Sequence, residues 1–441
     1  MTLAVGNEYR KLGYQQLSYQ QLSYQQLLIR HLPAFKSRNF RLYFVGQSFS
    51  LSGTFMTQVS VPWLIYDLTH SAWLLGLTGF LGFLPTLLLT PFSGVLSDRW
   101  SRKSLLLLTQ GMGISVAITL TVLTFLGWAD FWSLLILSIL AGVVKGIDMP
   151  VRHAFVVEMV DDRQDLGNAI ALNSAMLSSS RLMGPAIGGI LLATVGAGFC
   201  FLYDSLSYVA AIAALSAMRL TPQPAKPQST STWHNLKEGW IYVYNSVPIR
   251  SILLLLTVQG LFGISYMALL PVFAADILRG GPQIMGFLSA SGAVGSVVAC
   301  VYLSLRRKKG GLEQLIAICP LAIGLGLIAF SQSRVIWVSL LLLVFVGYSS
   351  TLQVASSNTV IQTIVEDSKR GRVMSFYALS LVGMLPLSNL LAGSLANAIG
   401  APNTLIACGI VCITGSLWFT RQLPAITQGI SATNTPHAAA N

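Results

Sequence analysis

The stretch GNAIALNSAMLSSSRLMGPAIGGILLATVG (residues 167–196) holds one charged side chain, Arg181, in thirty residues. Its length and apolarity suit a helix crossing a bilayer, which needs about 20 such residues. A charge near the middle of such a helix costs about 2.5–3.5 kcal/mol on insertion scales, so an intramembrane arginine marks a working position. Gly184-Pro185-x-x-Gly188-Gly189 follows within one turn. Glycines let helices approach closely, and a proline frees a backbone carbonyl and bends its helix.

The pattern repeats along the chain. Of 441 residues, 54% are hydrophobic and only 10% charged, against about 25% charged in soluble domains. Apolar segments fall at about 42–66, 72–97, 104–127, 131–152, 167–193 and 197–218, then at 249–275, 283–305, 312–330, 335–358, 372–397 and 402–420. These predict an all-α membrane protein of twelve transmembrane helices in two six-helix halves. Residues 1–41 form an N-terminal extension with the tandem repeat YQQLS, YQQLS, YQQLL (14–28), whose period of five matches neither helix nor strand. The halves are 42–218 and 249–420, joined by a linker (219–248) and followed by a tail (421–441). The linker begins rich in Pro, Ser and Thr. It then sets Trp233, Leu236, Trp240, Val243 and Tyr244 at helical spacing, as in a helix lying on the membrane surface or in an extension of span 7.

The net charge of +12 does not point to nucleic acid. With the N-terminus inside, 23 of the 27 Lys and Arg fall on the cytoplasmic side, and only Arg279 and Arg334 fall outside. This is the positive-inside bias of a membrane protein, with both termini cytoplasmic. Lys145 and Arg181 lie within spans. Cys200, Cys300, Cys319, Cys408 and Cys412 all sit in apolar segments without metal-ligand spacing, as small buried hydrophobes. His31, His70, His153, His234 and His437 are scattered through loops and tails, which disfavours an enzyme. No cofactor or metal is expected. No Walker-type loop is present, so direct ATP drive from this chain is not expected. Two six-span halves around a linker suggest a transporter with its site between them.

Two motifs carry chemistry. SGVLSDRWSRKSLLLL (93–108) lies between spans 2 and 3, with Gly94, Leu96, Asp98, Arg99, Arg102 and Lys103. Ordinary inside-positive charge accounts for Arg102 and Lys103, but not for Asp98 between Gly94 and Arg99. The stretch resembles the signature of the major facilitator superfamily, with Ser101 where that family usually has glycine. The resemblance implies a pseudo-symmetric major facilitator fold and a conformational latch at Gly94, Asp98, Arg99, Arg102 and Lys103. Asp98 would face the start of span 11, near Gly371 and Arg372.

The second motif is GIDMPVRHAFVVEMVDDRQDLGNAIALNSAMLSSSRLMGPAIGG (146–189). Together with GRVMSFYALSLVGMLPLSNLLAGSLA (371–396), it resembles the superfamily branch of the enterobactin exporter and the bacterial transmembrane secretion effectors. Gly184, Pro185, Gly188 and Gly189 match the end of an antiporter signature, with Ser180 and Ala171 where its upstream glycines would stand. The resemblance implies a monomeric inner-membrane exporter of siderophores, drugs or metabolites, coupled to protons. An importer or facilitator, or a non-transporting membrane protein, are the alternatives.

Coupling needs an ionisable group within the membrane. Asp148 lies near the inner end of span 4, with Lys145 and Arg152 at i−3 and i+4; a cluster that merely anchors the helix end is the plainer explanation. Asp204 lies ~10 Å below the outer end of span 6, and Arg181 ~18 Å below that of span 5. Arg181 has three explanations: a pair with Asp204, a contact with anionic substrate, or a bond to carbonyls loosened by Pro185. Asp67 and Asp276 read as solvated outer caps. Gln58, Asn173, Gln259, Tyr266, Gln353, Asn358 and Asn389 are buried polar groups. The resemblance favours Gln58, Tyr266 and Gln353 as cavity residues, on spans 1, 7 and 10.

Overall fold

The computed structural model describes residues 32–160, 162–219, 232–306 and 311–434. The YQQLS repeats lie outside these residues. Six helices form the first half: α1 (Arg38–Thr69), α2 (Ala72–Arg99), α3 (Arg102–Phe125), α4 (Phe131–Phe155), α5 (Leu166–Thr194) and α6 (Ala197–Ala217). The linker holds α7 (Thr232–Asn245). The second half comprises α8 (Val247–Ile277), α9 (Pro282–Leu305), α10 (Leu312–Gln332), α11 (Ile336–Ile364), α12 (Arg370–Ile399) and α13 (Ala401–Asn434).

Among the described residues, eleven helices are long and apolar enough to cross a membrane. The twelfth span is α1, whose 32 residues are diluted in apolarity by Ser, Thr and Gln. It packs lengthwise on α5 and α6, so its polar groups find partners within the half. Hydropathy marks where an apolar run ends, not where a helix ends. Accordingly α1 starts at Arg38 rather than 42, and α13 runs on to Asn434 through residues expected to be tail.

Helix starts are set by local chemistry. Ser71 accepts from the Leu74 amide (3.3 Å) and Ser101 from the Ser104 amide (3.1 Å). Asp130 caps α4 by accepting from the Ser133 amide at 3.1 Å, while its own amide donates to the Ser133 hydroxyl. These Ser133 bonds hold the Asp130 carboxyl below its usual range. Two irregularities fall in the second half. Helix α8 carries π-turns at Gln259–Gly263 and Phe273–Ile277. Helix α12 breaks between Leu381 and Leu385, where Pro386 has no amide to offer the carbonyl four residues back.

The halves repeat one packing scheme. The pairs α2–α4, α3–α4 and α3–α6 recur as α9–α11, α10–α11 and α10–α13. The halves meet along α5–α9 and α2–α12. Both seams are tightest toward one face, here called the far face, onto which the α1–α2 and α5–α6 connections open. The opposite face, rich in Lys and Arg, is the basic face. A single apolar core at the far face joins both halves, with Ile65, Tyr66 and Leu75 against Tyr266, Leu270, Met285 and Ala392. Toward the basic face the core divides. One cluster around Phe40, Leu105 and Phe155 belongs to the first half, and another around Ile252, Val360 and Phe419 to the second. The molecule is thus joined at the far face and parted toward the basic face.

Candidate functional site

The polar interior of the first half contains two separate acid clusters. In the first, Asp148 on α4 is fully engaged. Its Oδ1 accepts from Thr109 Oγ1 (2.8 Å) and Gln110 Nε2 (2.9 Å) on α3, and its Oδ2 accepts from Arg152 Nε (2.9 Å) and Nη2. Nearby, Tyr43 donates to Asn173 at 3.1 Å. A carboxylate with four donors, two of them from the i+4 guanidinium, ties α3 to α4.

Asp204 on α6 differs. It is 3% exposed, its Oδ2 accepts from Thr57 Oγ1 on α1 at 2.7 Å, and its Oδ1 has no hydrogen-bond partner. Gly53 on α1 makes room for it, since a Cβ there would fall 2.7 Å from Oδ1. The cation that acts on Asp204 is Lys145 on α4, whose ammonium lies 5.9 Å from the centre of the Phe83 ring on α2. Lys145 therefore turns away from Asp148, its expected neighbour, and toward the middle of the half.

The proposed pairing of Arg181 with Asp204 is not formed. Arg181 is exposed, it makes no hydrogen bond or ion pair among the described residues, and its electrostatic neighbour is Tyr266 on α8 of the other half. The cause is azimuth: at 3.6 residues per turn, Arg181 shares the face of α5 that carries Gly184, Pro185 and Gly188. Met183, Ile187 and Ile190 occupy the opposite, exposed side. No bond from Arg181 to a backbone carbonyl is present either.

Gly184, Pro185, Gly188 and Gly189 lie at close helix contacts, within the first half and across the α5–α9 seam. A Cβ on Gly184 would fall 2.5 Å from Phe55 Cβ, and one on Gly188 would fall 3.0 Å from Met56 Cα, so α5 rides close on α1. Gly189 faces Gly286 on α9, where a Cβ would lie 2.8 Å from the opposing Cα. On the other seam, Gly76 of α2 faces Gly393 of α12 at 2.7 Å by the same measure. A hydrogen bond from Tyr66 to Asp276 Oδ2 (2.5 Å) crosses the halves at the far face. Asp276 is thus no free cap: it stands in the second π-turn of α8, turned toward α1. Asp67 is exposed, as expected.

On the basic face, the surroundings of Gly94 and the side chains of Asp98 and Arg99 lie outside the described set. Arg102 bonds Glu158 (2.7 Å) and the Ala154 carbonyl (3.1 Å), and Lys103 bonds the Ser216 and Met218 carbonyls (3.3 and 2.8 Å). All these partners are in the first half. Arg372 ion-pairs with Glu238 of α7 at 2.5 Å, and Lys369 bonds the same carboxylate. These bonds, Lys369 first, hold the Glu238 carboxyl below its usual range. Helix α7 is separate from α8, and Trp240 lies against Phe376 of α12 at 5.9 Å. Sequence reasoning did not find Glu238, because its partners stand over 130 residues away.

Of the expected cavity residues, Gln58 is exposed on α1 and Tyr266 is buried at the seam beside Gly292 of α9. Gln353 is wholly buried in the second half, with both amide atoms unpartnered. Gln259, at the first π-turn of α8, donates to Ser350 Oγ at 2.6 Å. Asn358 accepts from Gln362, and Asn389 packs against Gly79 across the second seam. Among the described residues no group of three His, Cys, Asp or Glu could hold a metal. Of the five cysteines, Cys300 is exposed and the other four are buried.

Two six-helix halves of matching packing, joined at paired seams, define a transporter of the major facilitator fold. A family model described as transmembrane secretion effector matches residues 30–439, and the chain belongs to that family. It is 27% identical over 382 residues to the staphyloferrin A transporter of Staphylococcus aureus, covering 86% of this chain and 95% of the relative. It is 25% identical over 374 residues to the multidrug efflux pump Tap of Mycolicibacterium fortuitum, covering 81% and 89%. Among solved structures, an inward-facing, occupied bacterial homologue of the human lysosomal transporter Spinster superposes with a TM-score of 0.70 at 12% identity, over 90% of this chain and 98% of that one.

Proposed function

We propose that this protein exports small organic molecules across the bacterial inner membrane by alternating access, driven by proton entry. The basic face is taken as cytoplasmic, on the positive-inside bias. The core that divides toward that face then describes the inward-open state, in which substrate enters from the cytoplasm. Rocking of the halves about the α5–α9 and α2–α12 seams would close the basic face and part the far one. Relatives that transport staphyloferrin A or act as multidrug efflux pumps favour export of organic compounds over uptake.

The observation that carries the coupling is Asp204. A buried carboxylate with one oxygen bonded by Thr57 and the other unpartnered can bind and release a proton. Binding a proton there removes the negative charge opposite Lys145 and changes the charge of the first half's interior by one. Asp148 is fully committed to α3 and Arg152, so it serves as an anchor. The test is efflux from proteoliposomes under an imposed pH gradient. Wild-type efflux should collapse with a protonophore, and Asp204→Asn should transport at the same rate with or without the gradient. Gradient-driven efflux by Asp204→Asn would overturn the assignment.

A further inference from the structure

Arg181 is a cation without a counter-ion at the apex of a parted interior. The ionisable groups inside the first half are Lys145, Asp148, Arg152, Arg181 and Asp204, three cations and two acids. Asp148 is taken by Arg152, and Asp204 answers to Lys145. The second half offers nothing to balance Arg181: residues 251–275, 282–305, 314–333, 335–364 and 373–420 contain no charged side chain. The interior therefore carries one uncompensated positive charge, and it sits at Arg181.

Its position gives that charge a use. Arg181 lies one turn to the basic side of the Pro185–Gly286 contact that closes the far face. It is exposed on the side of α5 that carries Gly184, Pro185 and Gly188, opposite the outward Met183, Ile187 and Ile190. Ser174 and Ser178 are exposed on the same side of α5, nearer the basic face. A planar guanidinium offers paired N–H donors that match a carboxylate bidentately, and such charge-assisted pairs are the strong ones.

We infer that Arg181 is a substrate-binding residue that selects organic anions bearing a carboxylate. This rests on the export reading for its biological direction, but binding can be tested without it. A carboxylate held by Arg181 would sit where the halves pivot. Its arrival would also supply the counter-charge that this intramembrane cation lacks.

The probes are two dyes on one xanthene frame, anionic carboxyfluorescein and cationic rhodamine 123. Binding to the purified full-length chain is read by fluorescence anisotropy, and efflux of each dye from proteoliposomes is read separately. The wild type should bind carboxyfluorescein in preference to rhodamine 123. Arg181→Gln should weaken the anion roughly 10- to 100-fold, the weight of a hydrogen bond to a charged group. Arg181→Lys, which keeps the charge but loses the fork, should retain an intermediate affinity, provided that both variants elute as the wild type does. Failure of the wild type to bind the anion, or unchanged binding by Arg181→Gln, overturns the inference. Anion binding without efflux of either dye would leave the site standing and remove the export reading. Efflux of rhodamine 123 with no anion binding would do the reverse.

Discussion

The two acids of the first half show how neighbours decide what a carboxylate does. Asp148 and Asp204 are both buried aspartates on spanning helices, and only Asp148 has charged neighbours within one helical turn in the sequence. Asp148 receives four donors, including both nitrogens of the Arg152 fork. Asp204 receives one hydroxyl and keeps a bare oxygen. Removing one partner of a buried pair strands the other charge, at a cost of about 3–5 kcal/mol, whereas replacing both by apolar groups is often near neutral. Asp148→Ala should therefore lower the thermal unfolding temperature in detergent strongly, and Asp148→Leu with Arg152→Met should regain most of the loss. Equal destabilisation of the single and double variants would contradict the anchor role. At this scale the sequence revealed which residues were out of place, Arg181 above all, because a lone charge in an apolar run is visible by inspection. It could not reveal their partners. Arg181 and Asp204 lie on consecutive helices, but the rotation of α5 about its axis turns Arg181 to the face that carries Gly184, Pro185 and Gly188.

At the scale of elements, the apolar runs located all twelve spans, and the glycines at 184–189 announced a close-packed face. What stayed hidden was the irregular backbone of α8. Its π-turns at Gln259–Gly263 and Phe273–Ile277 leave no mark in hydropathy, since an inserted residue in a helix changes register and not composition. The second π-turn presents Asp276 to α1. The seams make a steric prediction. Any side chain at Gly189 meets Gly286 and the Pro282 carbonyl within 3 Å, and overpacking of this kind costs about 1–3 kcal/mol or more. Gly189→Leu should keep α5 and α9 apart at the far face and halt efflux, read as a longer spin-label distance between the far ends of α5 and α9. An unchanged distance would show that the seam tolerates bulk. The clamp of α7 on α12 carries a pH dependence. Lys369 and Arg372 hold the Glu238 carboxyl below its usual range. The clamp is therefore intact above the ordinary glutamate value and is lost as pH falls through the lower folded value. At neutral pH, Glu238→Gln should speed hydrogen exchange across Thr232–Asn245, and wild-type exchange there should rise only in acid, once intrinsic rates are corrected. Identical exchange in both proteins would mean that Trp240 and Val243 alone hold the helix.

At the scale of the whole molecule, the state of the protein depends on how the far face is held. The seams there bring backbone against backbone, and the shared core adds apolar area, yet both are non-directional and can re-form in more than one arrangement. A directional contact that crosses the halves among the described residues is the hydrogen bond from Tyr66 to Asp276 at 2.5 Å. It ties the end of α1 to the irregular end of α8, so it must break whenever the far face opens. A hydrogen bond to a charged group contributes about 1.5–3 kcal/mol, less when the acceptor is exposed, as Asp276 is. Since 1.4 kcal/mol is tenfold in an equilibrium, its loss should move the balance between the far-closed and far-open states by about three- to tenfold. Tyr66→Phe keeps the ring in the apolar core and removes only the hydroxyl. The population shift can be read with a reporter cysteine at Leu75, which is buried at the far seam in the closed state. In a Cys300→Ser background, which removes the exposed native thiol, a membrane-impermeant maleimide should label Leu75→Cys several-fold faster in the Tyr66→Phe variant. Asp276→Asn, which retains an acceptor but not the charge, should fall between the two. If labelling is the same in all three, the far face is held by packing alone, and the tyrosine–aspartate contact follows closure without contributing to it.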